Sequence, residues 1–218
     1  MKKRPLFWDV LYRKSKFIWG SEADRTLVEY AELIPRGYIL DLGMGEGRNA
    51  LFFAKLGYTV EGIDVSKAAI KKCIKMANKA NLKIAAEVGS LQNIKITPKK
   101  YSLIIISWVL NFFNKEEILK IIAKIKKGLK KNGLVYNVAF TVDDPTYKKR
   151  KQNLKMIEKN TFYSRKRHSY MHYFTKKETL SLFKYFETIY FADGAKLDIS
   201  HAKPHYHGFI EYLGKKGN

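Results

Sequence analysis

The residues best placed to do chemistry in this chain of 218 residues surround an unusually bare stretch of backbone. Residues 41–49 read DLGMGEGRN, so Gly43, Gly45 and Gly47 stand at alternate positions directly after Asp41. Glycine permits a tight turn and lets a ligand approach the main chain closely. The N–H groups of a helix that begins after such a turn can face that ligand. We therefore expect a ligand-binding loop at this place.

Two common nucleotide-binding fingerprints do not fit this loop. The dinucleotide pattern G-x-G-x-x-G needs a glycine where Arg48 stands, and the lysine of a P-loop is missing. What remains is D-x-G-x-G-x-G followed by a second acid, Asp64, at the end of the next apolar segment. An acid there can accept hydrogen bonds from both hydroxyls of a ribose. The alternative is that Asp64 caps the next helix beside Ser66.

A second group of reactive side chains lies in the segment DISHAKPHYH, residues 198–207. His205 and His207 are two residues apart in a predicted strand, so they share a face, and His201 lies in the preceding loop. Near-neutral imidazoles can hydrogen-bond an oxyanion or take a proton from a thiol, and we favour this handling of a substrate. Two other interpretations stay open: three imidazoles could hold a metal ion, or they are ordinary polar residues of a hairpin.

The elements that position these residues alternate between strands and helices. Helices are predicted at 22–34, 49–56, 66–79, 115–127 and about 175–184. Strands are predicted at 38–43, 58–64, 82–89, 101–107, 132–140, 186–194 and 205–214. The alternation predicts an α/β fold, in which a mostly parallel seven-stranded sheet carries helices on both faces and an antiparallel C-terminal hairpin at one edge.

Composition limits the class of protein, its expected location and its expected partners. With 46% apolar residues the chain is globular, and no apolar run is long enough to cross a membrane. The N-terminus lacks the pattern of a signal peptide, and the single cysteine, Cys73, allows no internal disulfide, so a cytoplasmic location is expected. The formal net charge of +22 favours anionic partners, or reflects a lysine-rich proteome. Its densest stretch, residues 148–167, has nine basic residues and one acid.

The glycine loop, the acid after the second strand and the order of elements together resemble the class I S-adenosylmethionine-dependent methyltransferases. Three segments, FWDVLYRKSKFIWG (7–20), GRNALFFAKLGYTVEGID (47–64) and DISHAKPHYHGFIEYLGKK (198–216), are similar to the tellurite-resistance and thiopurine-type branch. The resemblance implies a Rossmann-like fold, S-adenosyl-L-methionine as cofactor and S-adenosyl-L-homocysteine as product. It also implies a small acceptor, either a thiol or an oxyanion.

The resemblance also assigns residues to the cofactor. Asp41 and the backbone of the glycine loop would lie against its methionine part, Asp64 would hold the ribose, and Ser90 would replace an Asp that many members place near the adenine. The complete predicted set is Trp8, Tyr12, Trp19, Asp41, Gly43, Met44, Gly45, Asn49, Asp64, Val65, Ser90, Leu91, Ser107 and Trp108. The N-terminal aromatic residues would close over the sulfonium, either as partners of its charge or only as a hydrophobic lid.

In this architecture one domain, 1–218, divides into four parts: an N-terminal lid segment (1–35), a cofactor-binding core (36–140), a basic insertion near the acceptor site (141–173) and a final helix with the hairpin (174–218). Arg165 and Arg167 would attract an anionic acceptor. The aromatic residues expected to line the acceptor pocket are Phe162, Tyr163, Tyr170 and Tyr173.

Two other functions remain open from the sequence. An RNA methyltransferase would use the basic stretch 148–167 to hold nucleic acid. A cofactor-binding subunit without activity of its own would bind the cofactor and turn over no acceptor. The sequence leaves the oligomeric state and the identity of the acceptor undetermined.

Overall fold

The computed structural model describes residues 7–14, 17–165, 168–199 and 203–217. The helices in this part of the chain are α1 (Phe7–Lys14), α2 (Arg25–Glu29), α3 (Arg48–Lys55), α4 (Lys67–Lys79), α5 (Lys115–Gly128), α6 (Pro145–Asn153) and α7 (Lys176–Leu182). Short 3₁₀ turns lie at Ala31–Leu33 and Leu110–Phe112. None of the helices described is long and apolar enough to span a membrane.

The strands form two sheets. Their bounds are β1 (Tyr38–Leu42), β2 (Thr59–Asp64), β3 (Ile84–Val88), β4 (Tyr101–Ser107), β5 (Leu129–Phe140), β6 (Met156–Glu158), β7 (Thr161–Ser164), β8 (Ser169–His172), β9 (Phe186–Asp198) and β10 (His205–Lys216). The main sheet has the order β3-β2-β1-β4-β5-β10-β9, and β6-β7-β8 form a small separate sheet.

The direction of the strands confirms the predicted architecture. Strands β1 to β5 pair in parallel, whereas β10 is antiparallel to both β5 and β9. Since β2 and β4 flank β1 on opposite sides, the chain order reverses at β1. In open α/β sheets, ligands bind beyond the carboxyl ends of the strands at such a point. The glycine loop leaves the sheet there.

The core lies on both faces of the main sheet. One cluster packs α5 and α7 against the sheet through residues such as Ile104, Ile125 and Phe183, while the other packs α3 and α4 through Phe53 and Ile70. Apolar residues on one stripe of each helix account for this arrangement.

Local signals place the helix starts as expected. The Ser66 side chain accepts a hydrogen bond of 3.2 Å from the Ala69 N–H and so begins α4. Asn114 and Glu117 form a reciprocal capping box at the start of α5. Both helices then bury the residues whose spacing predicted them.

Two predictions of secondary structure are wrong in part. The helix expected over 22–34 is shorter, because Tyr30 leaves the helical backbone (φ −102°, ψ 12°) and only a 3₁₀ turn follows. The insertion 141–173, for which no helix or strand was predicted, contains α6 and the small sheet. Helix α6 buries none of its residues, so it shows no apolar period, although Asp144 caps it and Pro145 begins it.

Candidate active site

The glycine loop after β1 adopts the conformation that its glycines permit. Gly43 and Gly45 have φ of 70° and 55°, in the left-handed region. A Cβ at Gly43 would lie 2.5 Å from a methyl carbon of Val109, and one at Gly45 would lie 2.6 Å from the Tyr12 hydroxyl. Neither position has room for a side chain. The loop is therefore held closely between the segment after β4 and helix α1.

Asp64 connects the end of β2 to this loop. Its Oδ2 accepts a hydrogen bond of 2.9 Å from the Gly45 N–H, and its Oδ1 accepts one of 2.8 Å from the Ser66 N–H. Burial raises the pKa of Asp64, although these two hydrogen bonds act in the opposite direction. A carboxylate has about four acceptor positions, so two remain for a ligand. Because Ser66 itself caps α4, Asp64 is not required as that cap.

Asp41 adds a second buried carboxyl group to this edge of the sheet. Burial raises the pKa of Asp41 to about 7, with Arg48 lowering it and the charges of Asp24 and Asp64 raising it. Arg48 forms an ion pair with Asp24 and is also the cation that lowers the pKa of Asp41, so two buried acids depend on one guanidinium. Such a site favours a ligand that brings positive charge.

Asp24 is the centre of a network that the sequence did not reveal. Its Oδ1 lies 2.6 Å from Arg48 Nη2, while its Oδ2 accepts hydrogen bonds from Asn49 Nδ2 (3.0 Å) and Ser107 Oγ (2.7 Å). Asn49 in turn accepts a hydrogen bond of 2.8 Å from the Asp24 N–H. The network joins the start of α3 to the end of β4. Asn49 and Ser107, both predicted at the cofactor, thus belong to one structural group.

The N-terminal segment, here residues 7–14 and 17–20, is attached over the loop by several polar contacts. Asp9 accepts hydrogen bonds from the Ala68 N–H (2.8 Å) and the Ser66 hydroxyl (3.1 Å) at the start of α4. Glu46, inside the glycine loop, accepts hydrogen bonds from the Phe17 and Ile18 N–H groups at 3.2 and 3.0 Å. The segment therefore lies across the carboxyl end of the sheet.

Aromatic rings of this segment reach the loop after β4. The Trp8 ring lies 4.9 Å from that of Phe112 and 6.5 Å from that of Trp19, between ring centroids. Trp19 Nε1 donates a hydrogen bond of 3.1 Å to the Tyr12 hydroxyl. The three aromatic residues predicted at the cofactor, Trp8, Tyr12 and Trp19, are thus brought together beside the glycine loop.

Trp108, at the end of β4, has an uncommon backbone conformation for a large residue. Its φ is 61°, and its ring lies 4.6 Å from that of Phe140 and 6.3 Å from the imidazole of His207. Strained conformations of this type often occur at functional sites. A cavity of about 340 Å³ adjoins Trp108 and is also lined by Asp24 and Glu211.

Four other predicted cofactor residues occupy different positions. Leu91 and Met44 are buried, and the Met44 side chain packs against Gly62, where an added Cβ would lie 2.3 Å from its sulfur. Val65 is half-buried after Asp64, while the Ser90 hydroxyl accepts a hydrogen bond of 3.3 Å from the Gln92 N–H.

One histidine of the hairpin, His207, contacts the buried acid Asp144, and His205 contacts His207. His207 Nδ1 lies 2.9 Å from Asp144 Oδ2, and His207 Nε2 lies 3.0 Å from His205 Nε2. Although burial of Asp144 acts to raise its pKa, hydrogen bonds from His207 and Thr146 bring the pKa below its ordinary value. His201 lies outside the described residues. The His207 ring packs 4.9 Å from that of Phe140, so it belongs to the same region as Trp108.

The prediction that Phe162 and Tyr173 line the acceptor pocket is wrong. Both residues are fully buried and pack against Tyr147. Phe162 lies in β7 and Tyr173 directly follows β8, so the two rings form the core of this unit. Arg165 is exposed at the end of β7, and Arg167 lies outside the described residues.

A family model and a curated relative identify the same family for this chain. The sequence model of the family described as Tellurite resistance protein TehB matches residues 12–168. The probable S-adenosyl-L-methionine-dependent methyltransferase TehB of Haemophilus influenzae is 31% identical over 121 residues, which are 54% of this chain and 41% of that protein. The chain thus spans about two fifths of the length of this curated relative.

Solved structures agree in fold. A SAM-dependent methyltransferase from Methanosarcina mazei superposes with a TM-score of 0.73 at 24% identity, covering 90% of this chain and 99% of that one. The crystal structure of TehB from Haemophilus influenzae superposes with a TM-score of 0.71 at 22% identity, covering 89% of this chain and 62% of that one. At these identities the likeness establishes the class I methyltransferase fold.

Proposed function

Because the chain belongs to the TehB tellurite resistance family, we propose that it is an S-adenosyl-L-methionine-dependent methyltransferase that acts on a small nucleophilic acceptor, a thiol or an oxyanion. One observation carries the proposal: Asp64, at the end of β2, accepts a hydrogen bond from the Gly45 N–H in the loop after β1. This hydrogen bond joins the two features that bind a nucleoside cofactor in such folds: the glycine loop and the acid at the end of the next strand.

The residues present fit this cofactor. Gly43 and Gly45 leave the main chain bare, and Asp64 has acceptor positions for two ribose hydroxyls. Burial, together with the charges of Asp24 and Asp64, raises the pKa of Asp41, and a sulfonium and an ammonium group would stabilise its ionised form. Val65, Ser90 and Leu91 would be the neighbours of the adenine.

When bound, the cofactor supplies an activated methyl group with a neutral thioether as leaving group. The contribution of the protein is to align the reactants and exclude water. Trp8, Tyr12 and Trp19 would cover the sulfonium, since aromatic faces attract cations. Trp108 would separate the cofactor from the acceptor, because it ends the strand next to β1.

The acceptor would lie between Trp108 and the histidines of the hairpin. His207 is oriented by Asp144 and can receive a proton or hydrogen-bond an oxyanion at Nε2. His205 adjoins it, and His201 would complete this group from the preceding loop. Arg165 and Arg167 would contribute positive potential for an anionic acceptor.

The function is tested by incubating the purified chain with S-adenosyl-L-methionine and separate acceptors: small thiols, tellurite and selenite. We expect S-adenosyl-L-homocysteine to form only when an acceptor is present. Binding of the cofactor without turnover of any acceptor would instead indicate a non-catalytic binding module.

RNA is the second candidate acceptor, because helix α6 exposes Lys148, Lys149 and Lys151 to solvent. An RNA methyltransferase would retain nucleic acid during purification and lose it steeply as the salt concentration rises. Methyl transfer to RNA but to none of the small acceptors would favour this candidate.

A further inference from the structure

Three side chains of the β9–β10 hairpin converge at one point. His205 is paired directly opposite Asp198, and His207 follows two residues later on the same face of β10. His205 Nε2 and His207 Nε2 are 3.0 Å apart, and His207 Nε2 is 3.7 Å from Asp198 Oδ2. Ligand atoms of all three lie within 4.8 Å of one another.

Hydrogen bonds determine which nitrogen of each ring carries a proton. His207 Nδ1 lies 2.9 Å from Asp144 Oδ2, an oxygen that also accepts a hydrogen bond from the Gly208 N–H at 3.2 Å. His205 Nδ1 lies 2.9 Å from the Lys203 carbonyl oxygen. A carboxylate and a carbonyl only accept, so both Nδ1 atoms are donors. Each neutral ring therefore has a lone pair at Nε2.

These two Nε2 atoms lie 3.0 Å apart, and a positive charge between them would satisfy both lone pairs. That charge is either an extra proton shared by the two rings or a metal ion. A zinc–nitrogen bond of about 2.0–2.1 Å places two tetrahedral nitrogen ligands about 3.3 Å apart, so a shift of a few tenths of an ångström would suffice.

The surroundings of the two rings favour the metal ion. Metal-binding histidines commonly donate their other N–H to a carboxylate or a backbone carbonyl, and His207 and His205 do so to Asp144 and to the Lys203 carbonyl. Asp144 is fully buried and is also held by the Thr146 N–H at 2.8 Å. Two imidazoles and one carboxylate are a ligand set of zinc sites that keep a fourth position open.

We propose that Asp198, His205 and His207 bind one zinc-class divalent metal ion with an open coordination position. The site lies beside the region assigned to the acceptor, since the His207 ring is 6.3 Å from that of Trp108.

A role for the metal in the reaction rests on the proposed function, and the bound metal would then take over from His207 Nε2 the handling of the acceptor. A thiol acceptor would replace a metal-bound water, forming a sulfur–metal bond while its proton leaves to solvent. The bound thiolate would then be the nucleophile, because a metal ion deprotonates a coordinating thiol.

Metal binding is tested on the full chain after dialysis against a chelator, by titration with Zn²⁺ and with Co²⁺. We expect one equivalent of Zn²⁺ per chain and the visible bands of tetrahedral Co²⁺. His205→Ala and His207→Ala should lose tight binding, whereas His205→Cys should retain it because a thiolate also binds zinc. Asp144→Asn should weaken affinity by about 10–100-fold.

Tyr206→Ala is the matched control, because Tyr206 is exposed on the opposite face of β10 between the two histidines. It should bind metal as the unchanged chain does. Less than a tenth of an equivalent of metal in the unchanged chain, or equal binding by His207→Ala and Tyr206→Ala, would overturn the proposal in favour of the shared proton.

The same samples separate this inference from the proposed function. Calorimetric binding of S-adenosyl-L-methionine by the metal-free chain would uphold the cofactor site even if Zn²⁺ does not bind. Stoichiometric Zn²⁺ without any cofactor binding would uphold the metal site and contradict the methyltransferase.

Discussion

The backbone N–H of Gly45 donates a hydrogen bond of 2.9 Å to Asp64 Oδ2, across 19 residues of sequence. This bond fixes the loop after β1 against the end of β2. Gly45 has no room for a side chain, because the Tyr12 hydroxyl occupies the space where its Cβ would be. The proposed cofactor site is thereby bounded by three separate elements: β1, β2 and α1.

The raised pKa of Asp41 predicts pH-dependent cofactor binding. At a pKa of about 7 the carboxyl group is largely protonated at pH 6 and ionised at pH 8. Since a cationic ligand favours the ionised form, affinity for S-adenosyl-L-methionine should rise about tenfold between these pH values. Asp41→Asn should remove the pH dependence. Calorimetry in buffers of equal ionic strength measures this affinity at each pH. An affinity that does not change with pH in the unchanged chain would contradict the placement of Asp41 at the cofactor.

The raised pKa of Asp41 also makes the stability of the cofactor-free chain depend on pH. The folded chain holds the Asp41 proton more tightly than the unfolded chain, whose pKa is near 3.8. The free energy of unfolding should therefore fall as the pH rises from about 4 to 7. At pH 8, Asp41→Asn should raise the melting temperature by at least about 2–4 °C, the equivalent of about 1 kcal/mol for a chain of this size. A lower melting temperature would show that the charged form is well accommodated.

The attachment of the N-terminal segment depends on Glu46. Glu46→Ala removes the acceptor of the Phe17 and Ile18 N–H groups, so residues 7–14 should exchange their amide hydrogens faster. If this segment covers the cofactor, the dissociation constant should also rise by about tenfold, or 1.4 kcal/mol. Glu32→Ala is the control, because Glu32 is exposed. Unchanged exchange in α1 would mean that the Asp9 hydrogen bonds and the aromatic contacts hold the segment without Glu46.

Arg48 and Asp24 should behave as a coupled pair. Arg48 is mostly buried and provides the cation for Asp24, so Arg48→Met should lower the free energy of unfolding by about 2 kcal/mol or more. Asp24→Asn in the Arg48→Met background should recover part of this loss. A urea-unfolding double-mutant cycle measures the coupling. Strictly additive effects would contradict a direct interaction.

His207 should affect turnover much more than cofactor binding. His207→Ala should lower kcat at least about tenfold, or 1.4 kcal/mol in the barrier, across pH 5–9. Tyr206→Ala, on the opposite face of the strand, should leave kcat unchanged. Normal turnover in the His207 variant would show that the hairpin takes no part in the reaction.

Local patterns in the sequence predict most of what forms the cofactor site. The spacing of Gly43 and Gly45, the acid Asp64 and the capping residue Ser66 each act within their own element, so each is visible in a short window. The mostly parallel sheet follows from the alternation of apolar strands with helices.

The remaining contacts join residues far apart in the chain. Asp24 meets Arg48 across 24 residues, and Asp144 meets His207 across 63, so no local period indicates either pair. Helix α6 was missed because it fully buries none of its residues and carries only cap signals. Phe162 seemed available to a ligand because the small sheet that buries it was not predicted.

The most direct test of the central claim is calorimetric titration of S-adenosyl-L-methionine into the unchanged chain, Asp64→Ala and the surface variant Asp193→Asn, with each fold checked by circular dichroism. We expect one site per chain, a loss of about 2–3 kcal/mol of binding free energy for Asp64→Ala, and no loss for Asp193→Asn. Equal affinity of folded Asp64→Ala and the unchanged chain would show that Asp64 does not bind the cofactor.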